Sequence, residues 1–167
     1  MTDLEQQALD FAALAHFGQS RKYTGEPYIV HPVAVAEIVR GVRHTSEMIA
    51  ASYLHDVVED CNIKLDVIDS IFGSEVKNLV DFLTDISMPW HGNRATRKRL
   101  DRERIAKAPP AAQTIKLADL IDNTQSIKER DPDFWKVYRL EKIALLDIID
   151  RGDPKLMARA RALVAEE

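Results

Sequence analysis

Apolar residues recur every three or four positions along nearly the whole chain, the spacing of amphipathic helices. Leu9, Ala12, Ala13 and Phe17 follow Thr2 and Glu5, which fit a capping box. Val35, Ile38, Val39 and Val42 follow Pro32, a residue suited to the first helical position. Gly73-Ser74 can end one helix and cap the next. Asp131-Pro132 and Asp153-Pro154 each pair a capping acid with a proline of the first turn. Strand-like alternation bounded by hairpin turns is absent. The pattern predicts an all-α fold of roughly seven to nine helices. Two loops interrupt it, "RKYTGEPYIVH" from Arg21 to His31 and "SMPWHGN" from Ser87 to Asn93.

Composition narrows the class. The chain has 167 residues, 46% hydrophobic and 30% charged, enough for a real core. It shows no repeat, low-complexity segment or Gly/Ser linker, so a single domain over residues 1–167 is expected. A net charge of -4 argues against a nucleic-acid partner bound by the general surface. No apolar run approaches the length of a membrane span, and the single cysteine, Cys61, leaves no intrachain disulfide. The expectation is a cytoplasmic protein with no membrane partner.

Candidate chemistry concentrates in "YLHDVVED", Tyr53 to Asp60. On a continuous helix His55 and Glu59 lie one turn apart, as do Asp56 and Asp60, so all four share a face opposite Leu54, Val57, Val58 and Cys61. The plain alternative is a solvated acidic face. A second segment, "TIKLADLIDNT" from Thr114 to Thr124, sets Asp119 among apolar residues, with Asn123 one turn on. A carboxylate buried there needs a cation, a strong donor or solvent. His31, before Pro32 at a loop end, adds a second imidazole. Two imidazoles and two carboxylates suit a divalent transition metal. An octahedral ion such as Mn²⁺ then keeps two positions for water and a substrate oxygen, near which Glu59 and Asp60 can handle a proton.

His31, His55-Asp56 and Asp119 resemble the H…HD…D signature of the HD-domain metal-dependent phosphohydrolases. "GEPYIVHPVAVAEI", "YLHDVVED", "IFGSEV" and "IKLADLIDN" resemble, in order and spacing, the hydrolase domain of the RelA/SpoT stringent-response enzymes. The similarity is nearest to their single-domain relatives, the small alarmone hydrolases, and covers about Ala8 to Ile127. It implies an HD-domain helical bundle with a metal site at its centre. It also implies one metal ion, usually Mn²⁺, on His31, His55, Asp56 and Asp119. Glu59 and Asp60 match the family's catalytic pair, Arg21 and Lys22 its nucleotide-contacting basic pair, and Asn123 a substrate-pocket asparagine. The implied reaction releases pyrophosphate from the ribose 3′ oxygen of (p)ppGpp or a similar alarmone.

Two departures fall where the base is recognised. The "RKYTGEPY" loop is one residue longer than the family spacing, and Thr124-Gln125-Ser126 stands where an arginine is common. Guanine and adenine alarmones, (p)ppGpp and (p)ppApp, therefore both stay open. Another HD nucleotide phosphohydrolase and a noncatalytic nucleotide-sensing module are the competing functions.

Elsewhere the expectations are structural. Arg94 to Lys107 reads as a solvated helix with Arg97–Asp101 and Arg99–Glu103 pairs. His16 reads as a packed, hydrogen-bonded histidine, and Cys61 as packing. Phe134, Trp135, Tyr138, Leu140, Ile143, Leu145 and Ile149 read as core or partner face, so the last two helices offer a route to a homo-oligomer.

Overall fold

Helix α3 (Ser46–Leu54) organises the first part of the chain. The Thr45 side chain caps it, accepting from the Met48 amide at 3.2 Å, and every residue from Met48 to Leu54 is buried. A helix apolar on all sides has to be surrounded by others. Helices α1 (Asp3–Ala15), α2 (Val30–Arg40) and α6 (Ser74–Leu83) pack against it. Between them come the single turn α4 (Val57–Asp60) and α5 (Leu65–Phe72), which lies along α6. Together these form a compact unit, Met1–Thr84. The computed structural model describes residues 1–165; Glu166 and Glu167, the end of the expected C-terminal helix, lie outside them.

Local chemistry fixes the joints of this unit. The Thr2–Glu5 capping box is present at α1. Glu5, 4% exposed, also accepts from Arg40 Nη2 at 2.8 Å, tying α1 to α2. Gly73 takes φ 85°, open to glycine at little steric cost, and joins α5 directly to α6. Ser74 does not cap α6. Its hydroxyl donates to Asp69 Oδ1 at 2.9 Å. Phe11 and Phe72 meet edge to face at 5.4 Å between centroids.

The second unit, Asp85–Glu167, is built on α8 (Pro110–Arg130), the longest helix. Helices α7 (Arg94–Ala106), α9 (Pro132–Leu146) and α10 (Pro154–Ala165) pack on it. Asp131 and Asp153 cap α9 and α10 as the sequence predicts, accepting from Phe134 N at 3.1 Å and Leu156 N at 3.2 Å. Buried Gln113 donates to the Ile105 and Ala106 carbonyls and accepts from Arg151 N. Beside it, a Cβ on Gly152 would come within 2.7 Å of Leu117 Cδ1.

Among the described residues no strand forms, and nine helices have eight residues or more, so the all-α expectation holds. Phe17 falls beyond α1 and is 87% exposed, while Ala8 and Ala12 form the buried stripe. Leu140 is exposed on α9, with Trp135, Tyr138, Leu145 and Leu146 turned inward. The expected Arg97–Asp101 surface pair gives way to a buried anchor. Asp101 accepts from the Ile86 and Ser87 amides and the Ser87 hydroxyl. Arg99 and Glu103 pair as predicted at 2.9 Å.

Candidate metal centre

"YLHDVVED" does not form one helix. Helix α3 stops at Leu54, and α4 starts at Val57. His55 caps the first and Asp56 precedes the second, with Asp56 at φ -102°, ψ -6°. The break has a chemical consequence. Both residues keep right-handed helical dihedrals, and the short turn between α3 and α4 leaves their side chains side by side. With the helix interrupted, His55 Nε2 lies 3.1 Å from Asp56 Oδ2.

His31 reaches the same place from another element. It lies inside α2, one residue before Pro32, rather than at a loop end, because the helix starts at Val30. Its Nε2 is 3.7 Å from Asp56 Oδ2, and the two imidazoles meet at 5.2 Å between centroids. One ligand atom from each of His31, His55 and Asp56 lies within 4.8 Å of the others. His31 and His55 are 2% and 3% exposed, so their orientation is set by packing.

Supporting contacts arrange this trio for a cation. His55 Nδ1 lies 2.8 Å from the Ser52 carbonyl. Since a carbonyl only accepts, Nδ1 carries the proton and the Nε2 lone pair faces Asp56. This is the arrangement in which histidine binds metal with its other nitrogen tied to the protein. Tyr28 donates its hydroxyl to Asp56 Oδ2 at 2.6 Å. Two imidazoles and a carboxylate with their ligand atoms this close make a donor set that fits a divalent transition metal.

Glu59 and Asp60 are the last two residues of α4 and are exposed. The Asp60 carboxyl sits above the ordinary carboxylate range. Partial desolvation is the largest cause and the Asp56 charge the next, opposed by the Tyr28 hydroxyl, His16 and His55. A carboxylate shifted this way is a stronger base near neutral pH.

The remaining expected residues stand as follows. Arg21 and Lys22 lie in a loop closed by the Arg21–Glu26 and Gly25–Arg21 backbone bonds. The Lys22 ammonium sits 4.8 Å from the Tyr23 ring centroid. Asp119 belongs to the second unit, on α8, and is 8% exposed. It accepts from Lys116 Nζ at 2.9 Å and from Asn123 Nδ2 at 2.6 Å, so the one-turn pairing of Asp119 and Asn123 is real. His16 is 2% exposed with Nδ1 2.8 Å from Gln19 Oε1, a packed, hydrogen-bonded histidine as read. Tyr28 and Gln19 were not singled out by sequence. Tyr28 does lie one helical turn before His31, a spacing that could have drawn notice.

Comparison with known proteins is consistent across three kinds of evidence. A family model described as an HD domain matches residues 8–143. The chain is 36% identical over 140 residues to human guanosine-3′,5′-bis(diphosphate) 3′-pyrophosphohydrolase MESH1, covering 81% of this chain and 76% of that protein. It is 37% identical over 134 residues to a Vibrio cholerae protein bearing the same activity name, covering 77% of this chain but 18% of that longer protein. A solved structure of a metazoan SpoT ortholog, described as hydrolysing ppGpp, superposes with a TM-score of 0.87 at 28% identity, covering 99% of this chain and 96% of that one. A Listeria monocytogenes structure superposes at 0.70 with 27% identity, covering 86% and 96%.

Proposed function

The chain belongs to the HD-domain hydrolases, among the single-domain alarmone hydrolases, and from that premise we propose that it removes pyrophosphate from the ribose 3′ position of a purine nucleotide alarmone. The observation that carries this reading is the convergence of His31, His55 and Asp56 across the break between α3 and α4. The family match spans parts of both units, and we take residues 1–167 as one hydrolase domain.

His31, His55 and Asp56 would hold the ion, and we assign Asp119 as its fourth ligand from the motif, with Mn²⁺ as the ion. A divalent ion there would supply Lewis acidity, making water a usable nucleophile near neutral pH and offsetting phosphoryl charge. The Ser52 carbonyl keeps His55 in the tautomer that presents Nε2. Glu59 and Asp60 orient the attacking water and accept its proton. Arg21 and Lys22 neutralise substrate phosphate, and arginine can also stack on the purine. Asn123 completes the substrate pocket. The bond broken joins the 3′ oxygen to the nearer phosphorus, so pyrophosphate leaves and the 5′-phosphorylated nucleoside remains.

Base preference turns on the lengthened loop. The Tyr23 hydroxyl accepts from Lys22 Nζ at 3.3 Å, which gives this loop an aromatic ring beside one of its two cations. That supports a recognition surface different from the family's usual one, and makes (p)ppApp a substrate to test beside (p)ppGpp. The test offers ppGpp and ppApp in parallel to Mn²⁺-loaded protein and compares kcat/KM. Turnover of either supports the reaction, and the faster substrate names the base. Turnover of neither, with metal bound, points to another nucleotide phosphohydrolase or to a sensor.

A further inference from the structure

One interaction in the first unit has a role that the motif residues leave unassigned. Tyr28 donates to Asp56 Oδ2 at 2.6 Å. This is the carboxylate oxygen nearest both imidazoles, 3.1 Å from His55 Nε2 and 3.7 Å from His31 Nε2. A carboxylate oxygen has two lone pairs. If one is committed to the phenol proton, the carboxylate cannot rotate freely, and the other is directed at the point the two Nε2 atoms also face. Such a short bond between a hydroxyl and a charged acceptor is among the stronger hydrogen bonds a protein makes.

The phenol is itself held in place. Its ring stacks on His16 at 4.7 Å between centroids, tilted by 33°, and meets His31 at 5.9 Å nearly edge-on. His16 is locked by burial and by Gln19 Oε1 at 2.8 Å. Gln19 then reaches across to α4, with Nε2 donating to the Asp60 carbonyl at 3.2 Å. The Tyr28 amide donates to the Gln19 carbonyl at 2.9 Å, which closes the circuit. The segment between α1 and α2 thus sets the hydroxyl against the ligand carboxylate through packing and hydrogen bonds on several sides.

We propose that Tyr28 is a positioning residue for the metal centre: its hydroxyl, braced by His16 and Gln19, fixes the Asp56 carboxylate in the orientation that binds the ion. This rests on the metal-site reading above. The role is to hold a ligand, so its signature is metal affinity. Outer contacts of this kind are worth about 10–100-fold in metal affinity elsewhere.

The test is titration of metal-free protein with Mn²⁺ alone, followed by calorimetry, for the parent, Tyr28→Phe and Gln19→Ala. Phenylalanine keeps the ring on His16 and removes only the hydroxyl. The expected result is a Kd about 10–100-fold weaker for Tyr28→Phe, with far-UV circular dichroism and melting of the metal-free protein close to the parent's. Gln19→Ala keeps the hydroxyl but loosens its support, and loses affinity by a smaller factor. It also serves as the test should Tyr28→Phe not fold. Parent-like Kd in Tyr28→Phe, or in Gln19→Ala where that variant stands in, overturns the proposal. A parent protein that takes up no Mn²⁺ instead removes the metal-site reading, so the two failures are distinct. The readout is Kd, because the same hydroxyl also acts on the Asp60 carboxyl and turnover alone does not separate the two contacts.

Discussion

Lys142 gives the second unit a measurable weakness. It lies on α9 with its ammonium 4.7 Å from the Tyr138 ring centroid. Burial pushes its pKa from 10.5 down to about 8. Repulsion from Lys116 and Lys98 adds to this, and Asp119 and Asp85 offset part of it. At about 1.4 kcal/mol for each pH unit, the folded state disfavours the charged form by about 3 kcal/mol. Lys142→Met keeps the unbranched stem and removes the charge. It also removes the contact with Tyr138, worth about 0.5–1 kcal/mol. A net stabilisation of about 2 kcal/mol at neutral pH follows, or about 4–8 °C in melting temperature. The sign of the pH dependence is fixed. Below pH 8 both states are protonated and the parent carries the whole cost. Between about 8 and 10.5 the folded state sheds its proton first, so the parent gains stability as pH rises and the two proteins converge. Both tryptophans, Trp90 and Trp135, belong to the second unit, so their fluorescence in urea titrations from pH 6.5 to 9.5 reads the right region. A Lys142→Met protein no more stable than the parent at pH 7, or a gap that does not narrow with pH, refutes this reasoning.

Other perturbations separate the parts of the account. Asp119→Ala should lose metal and activity together, because a site that loses a ligand loses affinity; stoichiometric metal with full activity in metal-removal assays would dismiss Asp119 as a ligand. Glu59→Gln should keep parent-like Mn²⁺ affinity while turnover falls by about 10²–10⁴-fold; unchanged single-turnover rates would take Glu59 out of the mechanism. For Glu5, burial raises the carboxyl pKa, but bonds from Arg40, the Thr2 amide and Ser46, with the Arg40 charge, lower it further, and the net is below the ordinary 4.5. Its contribution is therefore present above pH 4.5 and lost as pH falls through the folded value. Glu5→Gln should cost about 2 kcal/mol at pH 7, with the difference shrinking in acid melts; a pH-independent gap would refute the ion-pair origin.

How far the site was legible depends on where its information is stored. Thr2–Glu5, Asp131-Pro132 and Asp153-Pro154 act through neighbours within a turn, and each was readable because capping is local. The His55-Asp56 doublet was also readable as chemistry, but its geometry was not. The helical spacing runs through this segment, whereas the structure ends α3 at Leu54 and restarts at Val57, with His55 Nε2 and Asp56 Oδ2 3.1 Å apart. Tyr28 lies three residues before His31 and Gln19 three after His16, but the contacts of Tyr28 with Asp56 and of Gln19 with Asp60 are made only through tertiary packing, so the circuit as a whole is not local. Asp101 departs from its sequence expectation for the same reason. Its position one turn from Arg97 suggested a surface pair, yet the backbone of Ile86 and Ser87 claims its oxygens.

The central claim is the bond that breaks. Mn²⁺-loaded protein supplied with ppGpp and ppApp in ¹⁸O-water, with products resolved by ³¹P NMR and mass spectrometry, tests it most directly. The account predicts pyrophosphate carrying one ¹⁸O and the 5′-diphosphorylated nucleoside with its 3′ hydroxyl unlabelled. Orthophosphate released stepwise, or label in the nucleoside, would contradict it.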